Sequence, residues 1–425
     1  MSCGFGVRLP WGYVSVRLSR DYWRFWAAFT ASNLGDGFRA VALPLLAVTL
    51  TRDPLLIAGV TALTSLPWLL IGPVSGAVVD RVDRRRLIVV VQLCRGVIAA
   101  LFAVTVATGT VTIWLLYAAA VVIAVGETLA DSAAQAAVPR LARADQLETA
   151  NGRLISADMV TEIVSTPIGG ALFAIVAAVP FFIDAATYLA AALLVWLVGS
   201  ALSPVTPVED EPGTKLRHDV VQGLRYVSTH SMLRAIAISA ALANFGAAAM
   251  LSIMVLLATE LLNLSEFGFG VLLAVAAAGG LLGALTVSRL TARFHRRQVM
   301  LTSIGINAAT SAAIGLSRGP ILAATLLFIT AAAVAVYNVV ARSLRQAIPP
   351  ARLLGRVIAG VRVVGLGTAP LGALAGGLLA RAAGLQAPLF MAAIALAAAA
   401  YVIAAALTRD RIDEAIANNP DLLTH

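Results

Sequence analysis

The sequence predicts an all-α membrane protein whose chain crosses the bilayer twelve times. Of its 425 residues, 60% are hydrophobic and only 12% are charged, and the mean hydropathy is +0.90. A soluble domain is about half apolar and about a quarter charged. The apolar residues form long runs, each near the ~20 residues that a helix needs to cross the hydrocarbon of a bilayer. Because these runs do not alternate apolar with polar side chains, they predict helices and not barrel strands.

The apolar runs follow one another with short polar loops between them, except for one longer polar stretch in the middle. An even number of spans returns both termini to the same side of the membrane. The first six spans are predicted at residues 23–50, 55–79, 87–107, 112–136, 154–179 and 181–202, and the last six at 232–262, 268–290, 299–317, 320–344, 357–380 and 388–407.

Arginine residues are concentrated in the loops on one side of the predicted spans. These loops lie at 81–86, 140–143, 289–297 and 345–356, and we call this the arginine-rich side. The loops of the opposite, arginine-poor side contain little beyond Arg52, Arg318 and Arg381. The positive-inside rule predicts that the arginine-rich side and both termini are cytoplasmic. We therefore expect a multi-pass protein of a bacterial inner membrane, and the net charge of +9 reflects topology and not nucleic-acid binding.

The sequence lacks the patterns that are typical of enzymes and of metal or cofactor sites. Cys3 and Cys94 stand apart, so neither a disulfide framework nor a cysteine metal site is expected. All four histidines lie in predicted loops or tails. No Walker loop, HExxH motif or nucleophile triad pattern is present. We therefore predict no enzymatic activity, no metal, no cofactor and no nucleic-acid partner.

An internal repeat divides the chain into two halves of six spans each. One constant shift places residues 33–35 (Asn-Leu-Gly) on 244–246 (Asn-Phe-Gly) and the basic residues 84–86 on 295–297. A slightly smaller shift places Pro167 on Pro370 and Gly169 on Gly372. Parallel repeats of this kind predict two pseudo-symmetric six-helix bundles that rock about a central site. The predicted units are the bundles 1–202 and 231–407, a cytoplasmic linker with an amphipathic helix at 203–230, and a cytoplasmic tail at 408–425.

The loop after the second span resembles the signature loop of the major facilitator superfamily. That pattern is a glycine, then an Asp-Arg pair, then a basic cluster, and it corresponds to residues 76–86 here, with Asp83 where many members have glycine. The resemblance implies a cytoplasmic latch that joins the two halves when the protein opens outward. The alternative is a basic loop that only fixes the orientation. The predicted latch residues are Gly76, Asp80, Arg81, Arg84 and, as the acidic partner, Asp131.

The fifth span contains a second motif, at residues 165–170 (Ser-Thr-Pro-Ile-Gly-Gly). It resembles the Gly/Pro-rich motif of drug/proton antiporters in this superfamily, although Thr166 stands where glycine is more common. Proline bends a helix and glycines permit close helix packing. The resemblance implies export, and the alternative is a generic kinked helix. The motif residues are Thr166, Pro167, Gly169 and Gly170.

The wider resemblance extends over nearly the whole chain. Residues 33–37, 66–86, 147–151, 223–226 and 355–356 are similar to the branch with the enterobactin exporter, macrolide efflux proteins and mycobacterial Tap-like multidrug pumps. This resemblance implies the major facilitator fold and proton-coupled efflux of bulky amphipathic compounds, such as antibiotics or siderophores. The implied partners are a small amphipathic substrate, protons and membrane lipid, with a monomeric transporter driven by the proton gradient. Two alternatives stay open: an importer of a small metabolite, and a membrane-embedded sensor.

Ionisable side chains inside the predicted spans are candidates for proton coupling, because each costs several kcal/mol unless it is paired or hydrated. Glu127, Asp36 and Glu162 lie at suitable depth, and we favour them in that order. Arg39, one turn after Asp36, is expected to tune the acid that it approaches. Asp158 and Asp184 are further acids of the first half. The substrate cavity is predicted between spans one, four, seven and ten, with Asn33, Asn244, Met250, Met254, Tyr337 and Asn338 as lining candidates.

Overall fold

A computed structural model describes residues 18–143, 146–199, 202, 225–349 and 354–410. Within these ranges the side chains of several residues, among them Gly76 and Asp80 of the predicted latch, are outside the description. Most of the predicted linker and tail also lies outside the described residues, so their predicted bounds are not tested.

The described residues form thirteen α-helices and contain no β-strand. A π-helical turn, Leu257–Leu261, continues α8. The helices are α1 (Arg20–Leu50), α2 (Pro54–Leu70), α3 (Gly72–Arg81), α4 (Arg84–Ala107), α5 (Ile113–Leu141), α6 (Leu147–Ile175), α7 (Val179–Trp196), α8 (Ser231–Leu256), α9 (Glu266–Arg293), α10 (Arg296–Leu316), α11 (Pro320–Ala347), α12 (Leu354–Ala383) and α13 (Ala387–Ala406).

Twelve membrane-spanning segments are confirmed, but the second is broken into α2 and α3. In the described residues, nine helices are long and apolar enough to cross a membrane, and α2 is apolar but only 17 residues long. The break falls at Ile71, directly before Gly72 and Pro73. Proline has no N–H to donate to the preceding turn, so the helix cannot continue with regular hydrogen bonds. The single span expected at 55–79 is therefore two helices in one segment.

Several helices extend beyond the apolar runs at the arginine-rich side. α5 ends at Leu141 and α11 at Ala347, each past the end of its predicted span, and both last turns contain arginine. Cations near a helix C-terminus interact favourably with the partial negative charge of its carbonyl groups. α6 begins at Leu147, whereas the apolar pattern predicted a start at residue 154. Hydropathy predicts only the part of a helix that lies in lipid. The bounds of its polar ends depend on capping and on charged side chains.

The helices pack as two bundles, α1–α7 and α8–α13, which contact each other mainly through α6 with α9 and α2 with α12. The glycines of the repeat show the pseudo-symmetry. An added Cβ at Gly35 of α1 would strike Asp184 and Thr187 of α7, and one at Gly246 of α8 would meet Ala392 of α13. In each bundle, therefore, a repeat-related glycine lets the first helix approach the last.

Hydrophobic packing joins the two bundles at the arginine-poor side. One buried core there contains residues of both bundles, including Val41 and Leu45 of α1 with Ile253 and Leu256 of α8. At the arginine-rich side the described residues form separate cores, one around Tyr22 and Leu141 in the first bundle and others in the second. The structure is thus closed at the arginine-poor side and divided at the arginine-rich side.

Close backbone contacts and two ion pairs accompany this closure. An added Cβ at Gly170 of α6 would lie 2.4 Å from the carbonyl oxygen of Glu266, and one at Gly270 of α9 would lie 2.3 Å from that of Thr166. Such contacts are possible only without a side chain, so the glycines set the distance between the two bundles. Two ion pairs with exposed arginines also connect the bundles near the loops of the arginine-poor side, Arg52 with Glu260 at 3.2 Å and Arg381 with Asp53 at 3.3 Å.

The glycine contacts predict that Gly270→Ala opens the arginine-poor side. The new Cβ would meet backbone atoms of Thr166 and Pro167, and overpacking of this kind costs about 1–3 kcal/mol. Spin labels at Thr110 and Arg318, exposed on this side in different bundles, should move to longer distances in pulsed electron paramagnetic resonance.

The measurement requires a background in which Cys3 and Cys94 are replaced by alanine. Gly305→Ala is the matched control, because an added Cβ at Gly305 would meet nothing within 4 Å. If Gly270→Ala and Gly305→Ala gave the same distance distribution, the contact between α6 and α9 would not hold this side closed.

Candidate functional site

Five ionisable side chains and a tyrosine meet inside the first bundle. They come from the middle of α1, α4 and α5 and from the first half of α7, which pack around one another. Helical spacing places residues one turn apart on a common face, so Asp36 and Arg39 of α1 point to the same neighbours. The residues, which we call the charge cluster, are Asp36, Arg39, Arg95, Glu127, Asp184 and Tyr188.

Asp36 is the acid with the most donors. Its Oδ1 atom accepts from Nη2 of Arg39 at 2.6 Å and from Nη2 of Arg95 at 2.7 Å. The phenol of Tyr188 also donates to this oxygen, at 2.5 Å. Three hydrogen bonds, two of them from cations, stabilise a carboxylate strongly in an apolar surrounding. Asp36 is therefore the anion that ties α1 to α4 and α7.

Glu127 lies at the edge of the charge cluster. Its Oε2 atom accepts from Nη2 of Arg39 at 2.8 Å and lies 3.6 Å from Nη2 of Arg95. The Glu127 side chain is 28% exposed, more than any other ionisable member of the cluster. Glu127 thus contacts both arginines and is still accessible from outside the cluster.

Asp184 is sealed inside the bundle. Its side chain is 1% exposed, and its Oδ2 atom lies 3.4 Å from Nε of Arg39. This ion-pair contact is not a directed hydrogen bond, and neither carboxyl oxygen of Asp184 has a hydrogen-bond partner among the described residues. Gly35 covers the group, since a Cβ there would lie 2.7 Å from Oδ1 of Asp184.

Arg95 is held by contacts on three sides. Its guanidinium lies over the ring of Tyr188, 4.0 Å from the centroid, which is a favourable cation–π distance. Gln92, one turn earlier on α4, accepts from Nη1 at 3.2 Å. The aliphatic part of Arg95 packs against Gly126 of α5, where a Cβ would approach it to 2.8 Å. These contacts fix the guanidinium between Asp36 and Glu127.

The structure brings together three of the four residues that the sequence predicts for proton coupling: Asp36, Arg39 and Glu127. Glu162 is exposed on α6, and no ion pair of the described residues joins it to the cluster. Whether any of these residues couples protons stays a prediction.

Sequence reasoning missed Arg95 and Tyr188 and gave Asp184 no role. The signal for Arg95 was available, because an arginine in the middle of the apolar run 87–107 is costly without a partner. Asp184 stood near a predicted span end, where an acid is inexpensive. Nothing in the sequence distinguished Tyr188 from the other tyrosines.

Among the described latch residues, Asp131 is not joined to Arg81 or Arg84 in this conformation. Asp131 faces a small recess lined also by Asn33 and Gln92, and no ion pair with Arg81 or Arg84 occurs among the described residues. Arg84 is buried and donates to the carbonyl oxygen of Ala136 at 3.0 Å, so it links α4 to α5 within one bundle.

Asp83, the departure from the signature pattern, has a clear local role. Its carboxylate accepts from the backbone N–H of Arg86 at 2.9 Å and caps the N-terminus of α4. A side-chain oxygen at this position satisfies a free amide of the first turn. The latch role of Gly76, Asp80, Arg81, Arg84 and Asp131 stays a prediction for another conformation.

The motif of the fifth span lies between α1 and the second bundle. An added Cβ at Gly169 would lie 3.2 Å from Cα of Phe38 in α1, whereas Gly170, Thr166 and Pro167 contact the first turns of α9. The motif thus serves two close helix contacts on different sides of α6. Its link to export is not tested by these contacts.

The predicted cavity residues have different surroundings. Asn33 donates to Asp158 at 2.8 Å, Asn244 lies near Gly365, and Met250 and Asn338 are at least partly exposed. Met254 lies in the core shared by the bundles, and Tyr337 is buried and donates to Ser239 at 2.9 Å. Neither of these two faces open space in this conformation, and the lining roles of the set stay predictions.

Comparison with protein families decides the class of the molecule. A family model described as "transmembrane secretion effector" matches residues 17–421. The chain belongs to this family of the major facilitator superfamily. Membership of this superfamily makes it a transporter and not an enzyme.

Curated relatives match only part of the transporter. Over 150 residues it is 35% identical to uncharacterised MFS-type transporters of Mycobacterium bovis and Mycobacterium tuberculosis. The aligned part is 35% of this chain, and it spans about a third (34%) of the length of each relative. The particular branch that the sequence resembles is not identified by these relatives.

Solved structures confirm the fold. A mutant of the nucleoside transporter NupG superposes with a TM-score of 0.77 at 12% identity, over 92% of this chain and 100% of that one. A bacterial homologue of the iron transporter ferroportin, in an inward-facing state, gives 0.72 at 16% identity, over 91% of this chain and 98% of that one. At such identities the likeness concerns the fold alone.

The charge cluster predicts that Arg95→Met strongly destabilises the transporter. The change leaves Asp36 and Glu127 with one cation fewer, and breaking a buried ion pair from one side costs about 3–5 kcal/mol. The melting temperature in detergent should fall clearly. Arg86→Met, an exposed change on the same helix, is the matched control and should leave it nearly unchanged.

A double-mutant cycle tests whether the loss comes from the ion pair. Arg95→Met combined with Asp36→Asn should cost less than the sum of the single changes, because the second removes the anion that the first leaves unpaired. Strict additivity would mean that Arg95 stabilises the bundle through packing and not through Asp36.

Proposed function

We propose that the transporter exports amphipathic compounds, such as antibiotics or siderophores, in exchange for protons. The observation that carries this proposal is the composition of the charge cluster, in which three carboxyl groups share two guanidinium groups. A buried surplus of one negative charge is costly in a medium that cannot solvate it. Binding of one proton neutralises the cluster, so its charge depends on access to protons.

Alternating access converts this property into transport. With the arginine-rich side taken as cytoplasmic, according to the positive-inside rule, the present conformation is open toward the cytoplasm. Glu127 is then the cluster acid most accessible from the side on which a substrate enters. Opening of the opposite side would expose the cluster to the external proton concentration, and proton binding there would drive the return step.

The family description and the export-type motif favour efflux over uptake. "Transmembrane secretion effector" names an outward process for the family. The motif at 165–170 places α6 directly against α9, where the bundles close.

Three further acids indicate that the substrate is cationic. Asp131 lines the recess beside Asn33, Asp158 accepts from Asn33, and Glu162 lies one turn from Asp158 on α6. None of the three forms an ion pair with a cation among the described residues. A positively charged amphipathic compound would supply the missing charge and fill the apolar surface.

Everted membrane vesicles provide the decisive experiment. Respiration acidifies their interior, and an acridine dye reports the pH gradient. Addition of a cationic dye or a macrolide to the outside should release protons from vesicles with the wild-type transporter. A tetracycline or a catecholate siderophore, which lacks a net positive charge, should release fewer protons, and equal release would contradict the preference for a cation. Glu127→Gln should abolish the release, since a neutral amide cannot exchange a proton.

Glu266→Gln is the matched control, because it makes the same chemical change in the first turn of α9, outside the charge cluster. It should behave like the wild type. A compound that moves protons only when it is loaded inside the vesicles would show uptake and overturn the proposed direction. Proton release that persists in Glu127→Gln would remove this residue from the coupling step.

A further inference from the structure

We propose that Asp184 holds the exchangeable proton in the present conformation. This inference rests on the proposed proton coupling, which does not by itself say which of the three acids is neutral. Asp184 was not among the acids that the sequence favours for this role. The inference stands on the hydrogen bonds, burial and charges of the cluster.

The number of charges requires one neutral acid. Asp36, Glu127 and Asp184 lie within 4 Å of Arg39, whereas the ion pairs of Arg95 among the described residues are with Asp36 and Glu127. If all three acids were ionised, the cluster would contain an unbalanced negative charge in the middle of the bundle. One protonated carboxyl group makes it neutral, and the question is where that proton lies.

The hydrogen-bond donors around each acid indicate which two of the three acids are ionised. Asp36 accepts from two arginines and from Tyr188, all within 2.7 Å. Glu127 accepts a 2.8 Å hydrogen bond from Arg39, and its exposed part can be reached by water. Hydrogen bonds from cations and contact with water both stabilise a carboxylate over the acid. Asp36 and Glu127 are therefore the two anions that balance Arg39 and Arg95.

Asp184 has the surroundings of a neutral acid. It is sealed from solvent, its two oxygens lack a directed hydrogen bond, and the closest cation is Arg39 Nε at 3.4 Å. The charged and titratable groups that face it are Arg39 and Asp36 from α1, Arg95 from α4 and Tyr188 from its own helix. Tyr188 is close to Asp184, but its single phenol hydrogen is donated to Asp36. Both arginines lie closer to Asp36 than Arg39 lies to Asp184. An ionised Asp184 would thus be the least compensated anion of the cluster.

Arg39 connects this site to the accessible edge of the cluster. The same guanidinium contacts Asp184 through Nε and Glu127 through Nη2. If Arg39 moves toward Asp184, it stabilises the aspartate as an anion and leaves Glu127 as the less compensated acid. The proton then leaves the Asp184 carboxyl and binds the Glu127 carboxylate, and the total charge of the cluster stays constant. Asp184 is the internal proton site, and Glu127 is the exchange site with the open side.

Infrared spectroscopy of the purified, substrate-free transporter locates the proton directly. A protonated carboxyl group gives a C=O stretching band that ionised carboxylates lack. The band should shift when aspartate is labelled with carbon-13 at the side-chain carboxyl and should be unaffected by labelled glutamate. It should be absent from Asp184→Asn and retained in Asp131→Asn, the control for an aspartate that faces the recess. A band that shifts with labelled glutamate, or that survives unchanged in Asp184→Asn, would overturn the assignment.

Thermal stability provides a second readout that does not depend on transport. Asp184→Asn replaces a neutral acid by a neutral amide of the same shape, so the melting temperature should stay near that of the wild type. Asp36→Asn removes an anion that binds two arginines and should lower the melting temperature clearly. If Asp184→Asn destabilised the protein as much as Asp36→Asn, Asp184 would be an ionised structural partner of Arg39.

Transport assays separate failure of this inference from failure of the proposed function. In energised everted vesicles, Asp184→Asn should lose proton release and proton-driven accumulation of the cationic dye, while passive dye exchange persists. If wild-type vesicles release protons but the infrared band belongs to a glutamate, the exporter stands and the assignment to Asp184 fails. If the band belongs to Asp184 but no compound releases protons from wild-type vesicles, the proton site stands and coupled export fails.

Discussion

The low polarity of the bilayer is the constraint on which the architecture of the first bundle depends. Charged side chains at this depth have no water to solvate them, so they are stable only beside one another. Asp36 satisfies this condition for Arg39 and Arg95 at once. The same requirement explains two glycines. Gly35 lets α7 approach α1, and Gly126 leaves space for the Arg95 side chain against α5. A set of ion pairs therefore determines where the helices approach most closely.

The described part of the second bundle repeats the helix packing without an ion-pair cluster like that of the first. Gly372 packs on Phe245 of α8 as Gly169 packs on Phe38 of α1, so the repeat preserves contacts between corresponding helices. Its described polar contacts include hydroxyl pairs, such as Thr330 with Thr310 at 2.7 Å. In the proposed function, the first half responds to protons, and the second provides the surface against which it moves.

The sequence was sufficient for features that depend on local composition. Hydropathy gave the number of spans, and the depth of acids in their spans was enough to select Asp36, Arg39 and Glu127. It was insufficient where a property depends on contacts between helices. Asp184 lacks a close partner because Gly35 packs over it and because both arginines lie closer to Asp36. The sequence of α7 alone contains no pattern that predicts this. Pro73 could have predicted the break in the second span, but the continuous apolar run around it indicated a single helix.

The position of α6 explains how the charge of the cluster can affect the closure between bundles. On one face, Gly37 of α1 fits against Ser165, within one turn of Arg39. On the adjacent face, the next residue, Thr166, presents its carbonyl oxygen to Gly270 of α9. A shift of α1 that accompanies a rearrangement of Arg39 is therefore transmitted to a contact with no free space. Because packed interfaces have discrete arrangements and resist continuous deformation, such a contact is either closed or open. In the proposed function, the segment at 165–170 is thus the mechanical connection between proton binding and the change of access.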